Sequence, residues 1–467
     1  MQIPILNGIY ADATADFRTS YPVNLVPVPK TQGISQGYLR PADGIVKQGD
    51  GPGADRGGVN WRGECYRIMG SAFVRVEASG SVTVLGYVAN DGKLATFDYS
   101  FDRLGIASSN ALYYWNGTTL TQVTDPDLGA VIDFVWVDGY FMTTDGEFLV
   151  VTELTDPTAV NPLKYGSSEA DPDEVKGLLK LRNEVYALNR YTVEVFENVG
   201  GNLFPFQRIE GAIIPRGIIG THAACVFDDK IAFLGSAKNE PVAVWIGING
   251  ACAKISTREV DEILQGYEER DLSDVLLESR IDKGHTHLYV HLPDRTLVYD
   301  LAATQILSEP VWFTLSSGVN GVARYRARNL IWAHERWMVA DPTGPAYGYL
   351  DGSTSTHYGD LVGWEFGTAV LYNEGRGAII HELELVALPG RVAAGKDPVI
   401  WTSYSVDGET WSVERAAKCG KQGERNKRIN WLQQGAMRHW RIQKFRGNSD
   451  AHLSFARLEA RLEALNV

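Results

Sequence analysis

The sequence predicts an all-β protein in which a six-bladed, β-propeller-like platform precedes a C-terminal β-sandwich domain. Short runs of β-branched and aromatic residues alternate with Gly, Asn and Asp, and long helical patterns are nearly missing. From Asp138 onward, tight hairpin turns recur roughly every 45 to 55 residues, with about four strands' worth of sequence in each interval, which is typical of propeller blades. About six such units fit between residues 50 and 365. A pair of sandwiches is the alternative, but it gives no reason for a repeat of this length.

Length and composition disfavour several other classes of protein. The chain has 467 residues, 44% hydrophobic and 22% charged, so it is too long for one ordinary core and too apolar for disorder. No run approaches the roughly 18 apolar residues that a membrane helix needs, and residues 1–10 lack the pattern of a secretory signal. The net charge of −13 disfavours a general nucleic-acid binder, because the summed field repels phosphate. The four cysteines share no CxxC spacing, which argues against a zinc knot or disulfide scaffold and suits a reducing compartment.

The predicted elements fall into three parts of the chain. Residues 1–49 contain several prolines and predict an extended arm that wraps a neighbour or closes the propeller. Residues 50–365 hold the blade hairpins, for example the two strands that flank Asp138-Gly139. Within them, residues 256–280 place apolar side chains among many acids and predict one or two short helices in a blade connection. Residues 366–467 have strand-like runs without the blade period and predict the sandwich.

Candidate catalytic and metal-binding motifs are weak. His285, His287 and His291 share one face of a predicted strand, but the last two are about 13 Å apart, too far for one ion, so we expect a polar outer face. Residues 405–411 resemble the Asp-box turn of sialidase-like propellers, one residue short and in a single copy, and predict a hairpin turn. The chain has no GxxxxGK[ST], GxSxG or HExxH motif. We therefore expect no catalytic residue, cofactor or metal.

One segment differs sharply in charge from the rest of the chain. Residues 418–446 include nine basic residues and one acid, Glu424, so their net charge is +8 and that of the remaining chain is −21. Arginine suits an interface, because its planar fork binds carboxylate or phosphate through two hydrogen bonds. A solvated strand face, contact with nucleic acid and docking on an acidic neighbouring subunit all remain open. The residues expected to make the contact are Lys421, Arg425, Lys427, Arg428, Arg438, Arg441, Lys444 and Arg446.

Three further segments stand in a distinctive order. They are YPVNL at residues 21–25 with GYLRPADGI at 37–45, then HLPDRTLVYD at 291–300 with PVW at 310–312, and finally DG at 407–408 ahead of the basic segment. Together they resemble the tail-hub, or nozzle, proteins of short-tailed bacteriophages, which are also called packaged-DNA stabilisation proteins. The resemblance spans nearly the whole chain. That family usually has Pro where this chain has Asp43, a difference that concerns only the local turn.

The resemblance implies a structural virion protein and not an enzyme. Members of that family form a homo-hexameric ring below the portal and its adaptor ring, the head-to-tail connector. The ring extends the channel for packaged double-stranded DNA without sequence-specific binding, is closed by a needle or plug protein, and docks tail fibres or spikes. The implied location is the virion tail, after assembly in the cytoplasm of the infected bacterium. We also expect contacts from the N-terminal arm, through Tyr21, Val23, Asn24, Leu25, Tyr38 and Leu39.

Two other functions remain as alternatives. A propeller glycosidase or sialidase that degrades host polysaccharide would share the fold class, the aromatic residues and the imperfect Asp box. A carbohydrate-binding fibre module could use the sandwich. Because propellers host many functions, the fold class alone is weak evidence for either alternative.

Overall fold

The computed structural model describes residues 1–11, 16–30 and 35–465, and strands dominate it. The described part of the first fifty residues contains six strands, which go to three different places in the molecule. The strands are β1 (Gln2–Ile3), β2 (Gly8–Ala11), β3 (Phe17–Ser20), β4 (Leu25–Pro29), β5 (Gly37–Pro41) and β6 (Gly44–Asp50). β2 and β3 form a hairpin of their own, whereas β1, β4 and β5 join the C-terminal sandwich and β6 joins the propeller.

The propeller begins with four blades, each a four-stranded antiparallel sheet in which successive strands pair. Blades 1 and 2 contain β7 (Asp55–Trp61), β8 (Glu64–Met69), β9 (Ala72–Val76), β10 (Val82–Tyr87), β11 (Thr96–Tyr99), β12 (Leu104–Ser108), β13 (Ala111–Trp115) and β14 (Leu120–Gln122). Blades 3 and 4 contain β15 (Asp133–Val137), β16 (Tyr140–Thr144), β17 (Phe148–Thr152), β18 (Val160–Ser167), β19 (Val175–Leu181), β20 (Glu184–Asn189), β21 (Val193–Asn198) and β22 (Phe206–Arg208).

Three further blades contain the helices and complete the ring. Blade 5 and the connection after it contain β23 (Ala224–Phe227), β24 (Lys230–Gly235), β25 (Ala243–Ile248), β26 (Ala251–Lys254), α1 (Arg258–Gln265) and α2 (Glu269–Leu272). Blade 6 contains β27 (Leu276–Asp282), β28 (His285–His291), β29 (Thr296–Asp300), α3 (Leu301–Leu307) and β30 (Val311–Leu315). Blade 7 contains β31 (Arg328–Ala333), β32 (Arg336–Ala340), β33 (Ala346–Asp351) and, from the N-terminal part of the chain, β6.

The ring closes on itself through its innermost strands. β7, β11, β15, β19, β23, β27 and β31 each contact the next, and β31 returns to β7. The outermost strand of blade 7 is β6, which pairs antiparallel with β33, Val46 lying opposite Tyr349. Joining the two ends of the ring in one sheet ties it shut, because opening it requires breaking that sheet's hydrogen bonds.

The predicted class is confirmed, but the predicted number of six blades is one short: seven four-stranded blades are present among the described residues. The 45-to-55-residue period came from the second half of the ring, where the innermost strands begin roughly 50 residues apart and helices lengthen the last two intervals. Blades 1 to 3 begin only roughly 40 residues apart. The last strand of blade 7 also lies about 300 residues before its partner, where a local repeat cannot show it.

The hairpin turns have the backbone conformation that the sequence predicts. Asp138 and Gly139 both have positive φ, at 48° and 92°, as do Lys283 and Gly284, at 49° and 84°. Two consecutive residues with positive φ are typical of the type I′ turn, whose twist matches that of the paired strands. These turns therefore fix the register of the two innermost strands in their blades.

The predicted helices in residues 256–280 are confirmed as α1 and α2. Thr257 caps α1 by accepting a hydrogen bond from the Val260 backbone N–H, and Val260 and Leu264 are buried against blades 5 and 6. α3 was not predicted; the Asp300 side chain caps it by accepting from the Ala303 N–H. Of the helices in the described ranges, none is both long and apolar enough to cross a membrane.

Carboxylates on innermost strands join neighbouring blades. Asp98 of β11 accepts from the backbone N–H of Trp136, Asp133 of β15 accepts from that of Leu178, and Glu278 of β27 accepts from that of Leu330, at 2.7 to 2.8 Å. Each carboxylate thus satisfies an N–H on the innermost strand of the next blade. Such hydrogen bonds contribute roughly 0.5–1.5 kcal/mol each when the acid is neutral and roughly 1.5–3 kcal/mol when it is ionised, so these bridges strengthen the contacts between blades.

The C-terminal domain consists of two packed antiparallel sheets that include N-terminal strands. Its own strands are β34 (Gly363–Gly367), β35 (Leu371–Tyr372), β36 (Ala378–Ala387), β37 (Val399–Ser405), β38 (Arg415–Lys418), β39 (Ile429–Leu432), β40 (Ala436–Met437), β41 (Trp440–Asn448) and β42 (Phe455–Ala464). One sheet has the order β39-β36-β42-β5-β4, with β1 paired to β42 and β40 to β36; the other has the order β34-β41-β37-β38, with β35 paired to β41. Leu39, Phe366, Phe445 and Phe455 meet in the core between them.

Candidate functional site

The basic segment does not form one face of the sandwich. It leaves β38, passes through an exposed loop, and then supplies β39, β40 and β41. Ile429 lies opposite Leu385 on β36, whereas Met437 lies opposite Ala378. Seven residues of β36 separate these positions, a distance of roughly 23 Å at the rise of a strand. The loop before β39 and the exposed Arg438 therefore lie toward opposite ends of the domain.

The loop formed by residues 420–427, hereafter the cationic loop, presents the exposed charges. Lys421, Arg425 and Lys427 are exposed, and none of them forms an ion pair with any residue that the structure describes. The only acid of the loop, Glu424, accepts a hydrogen bond from the Lys421 backbone N–H at 2.9 Å, so it stabilises the turn. Gly423 donates to the Gly390 carbonyl at 3.1 Å, which holds the loop against residues 388–391.

Arg391 is a fourth cation that the sequence analysis missed. It is exposed and follows Gly390, whose backbone packs on Arg425 so closely that an added Cβ would lie 3.1 Å from the Arg425 Cγ. No local signal could have found it, because the two arginines are far apart in the chain and meet only through the fold. Arg391 thus adds an exposed cation beside the cationic loop, at an end of the sandwich where Asp397, an acid near the loop, is already paired with Lys418.

Other cations of the segment are paired within the domain. Arg446 donates to both carboxylate oxygens of Glu414, at 2.5 and 2.6 Å, and Arg428 donates from Nε to Glu384 at 2.8 Å. Lys444 lies 3.6 Å from a Glu365 oxygen. The bonds to Glu414 raise the pKa of the Arg446 guanidinium. Neutralised side chains of this kind retain little charge for an outside partner.

The prediction that Arg441 contacts a partner is wrong, because its side chain is buried inside the sandwich. Its exposed fraction is 0%; its guanidinium donates to the Gln434 carbonyl at 2.6 Å and to the Gln443 side-chain oxygen at 2.9 and 3.1 Å. The guanidinium carbon lies 3.7 Å from the centre of the Tyr404 ring. Burial lowers the pKa of Arg441 to about 10, so it remains charged at neutral pH. Its role is to fill the interior of the sandwich.

The N-terminal residues expected at an interface mostly bind their own chain. Leu25 and Leu39 are 1% and 0% exposed and lie in the sandwich core, so they cannot reach a neighbour. The Asn24 amide donates to the carbonyls of Ser316 and Gly363, each at 2.7 Å, and so connects the propeller to the sandwich. These three side chains are buried because the arm is a built-in part of both domains.

The remaining arm residues are only partly exposed. The Tyr21 hydroxyl lies 2.5 Å from the Thr257 hydroxyl, and burial raises the Tyr21 pKa. The Val23 N–H donates to the Glu365 carbonyl at 2.8 Å. The Tyr38 ring carries the Lys30 ammonium 5.1 Å from its centre. Contact with a neighbouring copy through Tyr21, Val23 or Tyr38 stays a prediction.

The histidines of β28 do not form the polar outer face that was expected. His287 and His291 are 2% and 7% exposed, because a middle strand of a blade is covered by blades on both sides. Asp300 binds two of the three: one of its oxygens lies 2.7 Å from His285 Nδ1 and 3.3 Å from His287 Nε2. The three groups lie close enough to hold a metal ion. The same contacts also serve as hydrogen bonds, and they lower the pKa of Asp300.

A propeller joined to a sandwich, with unpaired cations on one loop, defines a structural platform, and the comparisons with known proteins place it in a family. Residues 1–355 match the family model described as "Bacteriophage P22 Gp10, beta-propeller", and residues 363–463 match "Bacteriophage P22 Gp10, beta-sandwich". The chain belongs to this phage stabilisation family. It is a structural tail-hub protein of a short-tailed phage, and this family supports that role over the glycosidase alternative.

A curated relative covers the same length. The tail hub protein gp10 of Salmonella phage P22 is 25% identical over an alignment of 485 positions, which covers 99% of this chain and 99% of that protein. The similarity therefore extends through both domains, and it implies a place in the virion tail.

Solved structures of other propellers are similar at a lower level. The Pan2 WD40 domain of Neurospora crassa is 11% identical, with a TM-score of 0.42, over 64% of this chain and 89% of that one. The N-terminal domain of Nup159 is 8% identical, also with a TM-score of 0.42, over 69% of this chain and 97% of that one. Similarities of this size add nothing to the functional assignment.

Proposed function

We propose that six copies of this protein form a ring below the portal and its adaptor ring, with the cationic loop as a principal docking contact. The observation that carries the proposal is the set of unpaired cations at Lys421, Arg425 and Lys427, in a chain whose net charge is −13. Charged groups of one sign across an interface steer and align a partner of the opposite sign. The expected partner surface is acidic and belongs to the adaptor or to a neighbouring copy.

The pairing pattern supports a protein partner for this loop. Cations that hold the sheets together, such as Arg428 and Arg446, already have carboxylate partners, whereas those of the loop have none among the described residues. A docked acidic surface would supply the missing partners. Bidentate arginine–carboxylate bonds would then give the contact its geometry.

The acidic remainder of the chain supports a channel through which DNA moves freely. Outside residues 418–446 the net charge is −21. A wall of that sign repels phosphate, so double-stranded DNA would pass without the counterion release that makes binding tight. In this proposal the ring extends the DNA channel and helps to retain packaged DNA once a needle or plug protein closes it.

The same platform is proposed to hold the other tail components. A fibre or spike would dock on the outer face of the ring, and assembly would take place in the cytoplasm of the infected bacterium. The four cysteines, Cys65, Cys225, Cys252 and Cys419, are free thiols, which is compatible with assembly in a reducing compartment.

Electron microscopy of the purified protein mixed with the portal–adaptor complex of the same phage tests the proposal. The unaltered protein is expected to add a six-fold ring to the complex. A triple variant, Lys421→Glu, Arg425→Glu and Lys427→Glu, is expected to leave the complex without that ring, because repulsion replaces attraction at the docking surface.

A control changes the same net charge elsewhere. Arg62, Arg182 and Lys230 are exposed residues of the propeller, at or beside the hairpin turns of blades 1, 4 and 5. Their triple change to Glu is expected to leave ring formation intact. Equal loss in both variants would contradict a specific role of the loop. Normal particles that lose DNA faster would instead assign the loop to DNA contact.

A further inference from the structure

A large polar cavity lies on the axis of the propeller. Its volume is about 1060 Å³, and its lining comes from the connections that precede six of the seven innermost strands, together with hairpins between the second and third strands of blades. Ser108, Asp145, Glu174, His222 and Arg328 are among the residues that reach it. The proposed docking of the ring does not use this cavity.

Arg328 lines the cavity without a charged partner. It is only 8% exposed; its Nη2 donates to the Asp274 carbonyl at 3.2 Å, and its Nε has no hydrogen-bond partner. Three carboxylates act on its charge: Asp55 accepts from Arg67, Glu278 accepts from the Leu330 N–H, and Asp274, which also lines the cavity, forms no ion pair with Arg328. A buried guanidinium with an unsatisfied donor carries a free-energy cost that a bound anion would remove.

A second cation stands on the same wall. Arg324 is exposed to the cavity and makes no ion pair with a residue that the structure describes. Burial, and then the charge of Arg324, lower the pKa of Arg328 to about 10, so Arg328 stays charged at neutral pH and is repelled by Arg324. Burial lowers the pKa of His222 to about 4, so this neighbour is neutral and adds a polar ring without a third positive charge.

The facing side of the cavity has the opposite charge. Asp145, Glu147 and Glu169 line it, together with the carboxylates of residues 171–174, and these acids outnumber the two lysines of the lining, Lys93 and Lys176. A long polyanion such as DNA would be repelled at this wall. The cavity therefore selects for a small ligand, or for one end of a molecule, that carries a single anionic group.

We propose that the axial cavity binds a small oxyanion, a carboxylate or a phosphate, held between Arg324 and Arg328. Guanidinium groups donate pairs of parallel hydrogen bonds that match the geometry of both oxyanions. An anion at this position would satisfy the free Nε of Arg328 and relieve the repulsion between the two arginines.

Calorimetric titration of the full chain with inorganic phosphate, and separately with acetate, at constant ionic strength and pH 7.5, tests this site. We expect saturable binding of at least one of the two anions, and this binding is expected to weaken by at least tenfold in Arg324→Gln and in Arg328→Gln. The matched control is Arg62→Gln, an exposed arginine in the blade 1 hairpin turn, outside the cavity lining, and it should bind as the unaltered protein does.

The two anions distinguish the ligand class. Binding of phosphate alone assigns a phosphate site, and binding of acetate alone assigns a carboxylate site; either supports the proposal. If Arg328→Gln does not fold, as judged by circular dichroism, the exposed Arg324→Gln decides the question. Absence of saturable binding of both anions, or equal binding by Arg324→Gln and the unaltered protein, would overturn the proposal.

Discussion

The propeller and the sandwich differ in the partners of their positively charged side chains. In the propeller, most buried arginines face carboxylates: Arg67 lies 2.9 Å from Asp55 and the Arg280 guanidinium lies 2.5 Å from Asp43, with Arg328 as the exception. In the sandwich, the buried Arg441 has only neutral partners, and the cationic loop has no carboxylate partners at all among the described residues. The buried arginines of the propeller are thus mostly paired internally, whereas the cationic loop of the sandwich keeps positive charge available for a partner.

Removing Arg67 should produce the largest loss of stability, because its pair lies at the seam that closes the ring. Arg67 and Asp55 belong to blade 1, and Arg67 also donates to the Asn329 carbonyl of blade 7 at 2.8 Å. Arg67→Ala would leave the Asp55 carboxylate buried and uncompensated, which costs about 3–5 kcal/mol in the free energy of unfolding. Urea unfolding followed by tryptophan fluorescence measures this loss.

The control for that pair is a more exposed one in the same blade. Arg75 pairs with Glu77, and its side chain is 37% exposed, so Arg75→Ala should cost less than about 1 kcal/mol. Similar losses in the two variants would show that the seam pair has no special place in ring closure.

Removing Arg441 should cost less than removing Arg67, since no carboxylate loses its partner. Arg441→Ala leaves a cavity and two unsatisfied acceptors, at Gln434 and Gln443, for a loss of about 2–4 kcal/mol. The exposed Arg438 provides the comparison: Arg438→Ala should change stability by less than about 0.5 kcal/mol. Thermal unfolding would contradict the comparison if the Arg441 variant were as stable as the Arg438 variant.

The propeller also contains a buried acid, Asp133, that has no cation as a partner among the described residues. Burial raises its pKa from 3.8 to about 7. The folded state therefore favours the protonated carboxyl. The contribution of this proton to the free energy of unfolding is fully present below pH 3.8 and is lost as the pH rises through 7. Between pH 6 and pH 8 the loss is about 1 kcal/mol.

Asp133→Asn tests that assignment, because the amide oxygen can still accept from the Leu178 N–H but cannot ionise. The variant should lose this part of the decline in stability between pH 6 and pH 8. The exposed Asp127 serves as the control, and Asp127→Asn should decline as the unaltered protein does. An unchanged pH dependence in Asp133→Asn would assign the decline to another group.

The cationic loop should contribute least to stability. Lys421→Gln, Arg425→Gln and Lys427→Gln together remove no ion pair and no buried contact, so the free energy of unfolding should change by less than about 0.5 kcal/mol. A loss above 1 kcal/mol would mean that the loop holds the sandwich together and that its charges are not reserved for a partner.

The sequence predicted what local patterns determine. The hairpins and the strands of the sandwich follow from turn residues and alternation, and α1 follows from the apolar residues placed among acids. The seventh blade was missed because β6 and β33 meet only across the whole ring. The burial of His287 was missed because one face of its strand was taken to be exposed, whereas a middle strand in a blade is covered on both faces.

The charge of the basic segment was read correctly, but its arrangement was not accessible from the sequence. Alternation along β41 does not reveal that Arg441 points inward, because its neighbours Ile442 and Gln443 are buried as well. The ion pairs could not be predicted from the sequence either, because Glu414 and Glu384 are distant in the chain from their partners Arg446 and Arg428. Only the fold separates the paired cations from the free ones.

The salt dependence of association with the portal–adaptor complex tests the central claim most directly. The neutral loop variant, with Gln at 421, 425 and 427, should associate at least tenfold more slowly than the unaltered protein at 20 mM salt, and the difference should shrink at 500 mM, because salt screens steering charges. Lys444→Gln with Arg446→Gln, whose cations are already paired, should associate at close to the unaltered rate. Equal rates for the loop variant and the unaltered protein at 20 mM salt would contradict the assignment of the loop as the docking contact.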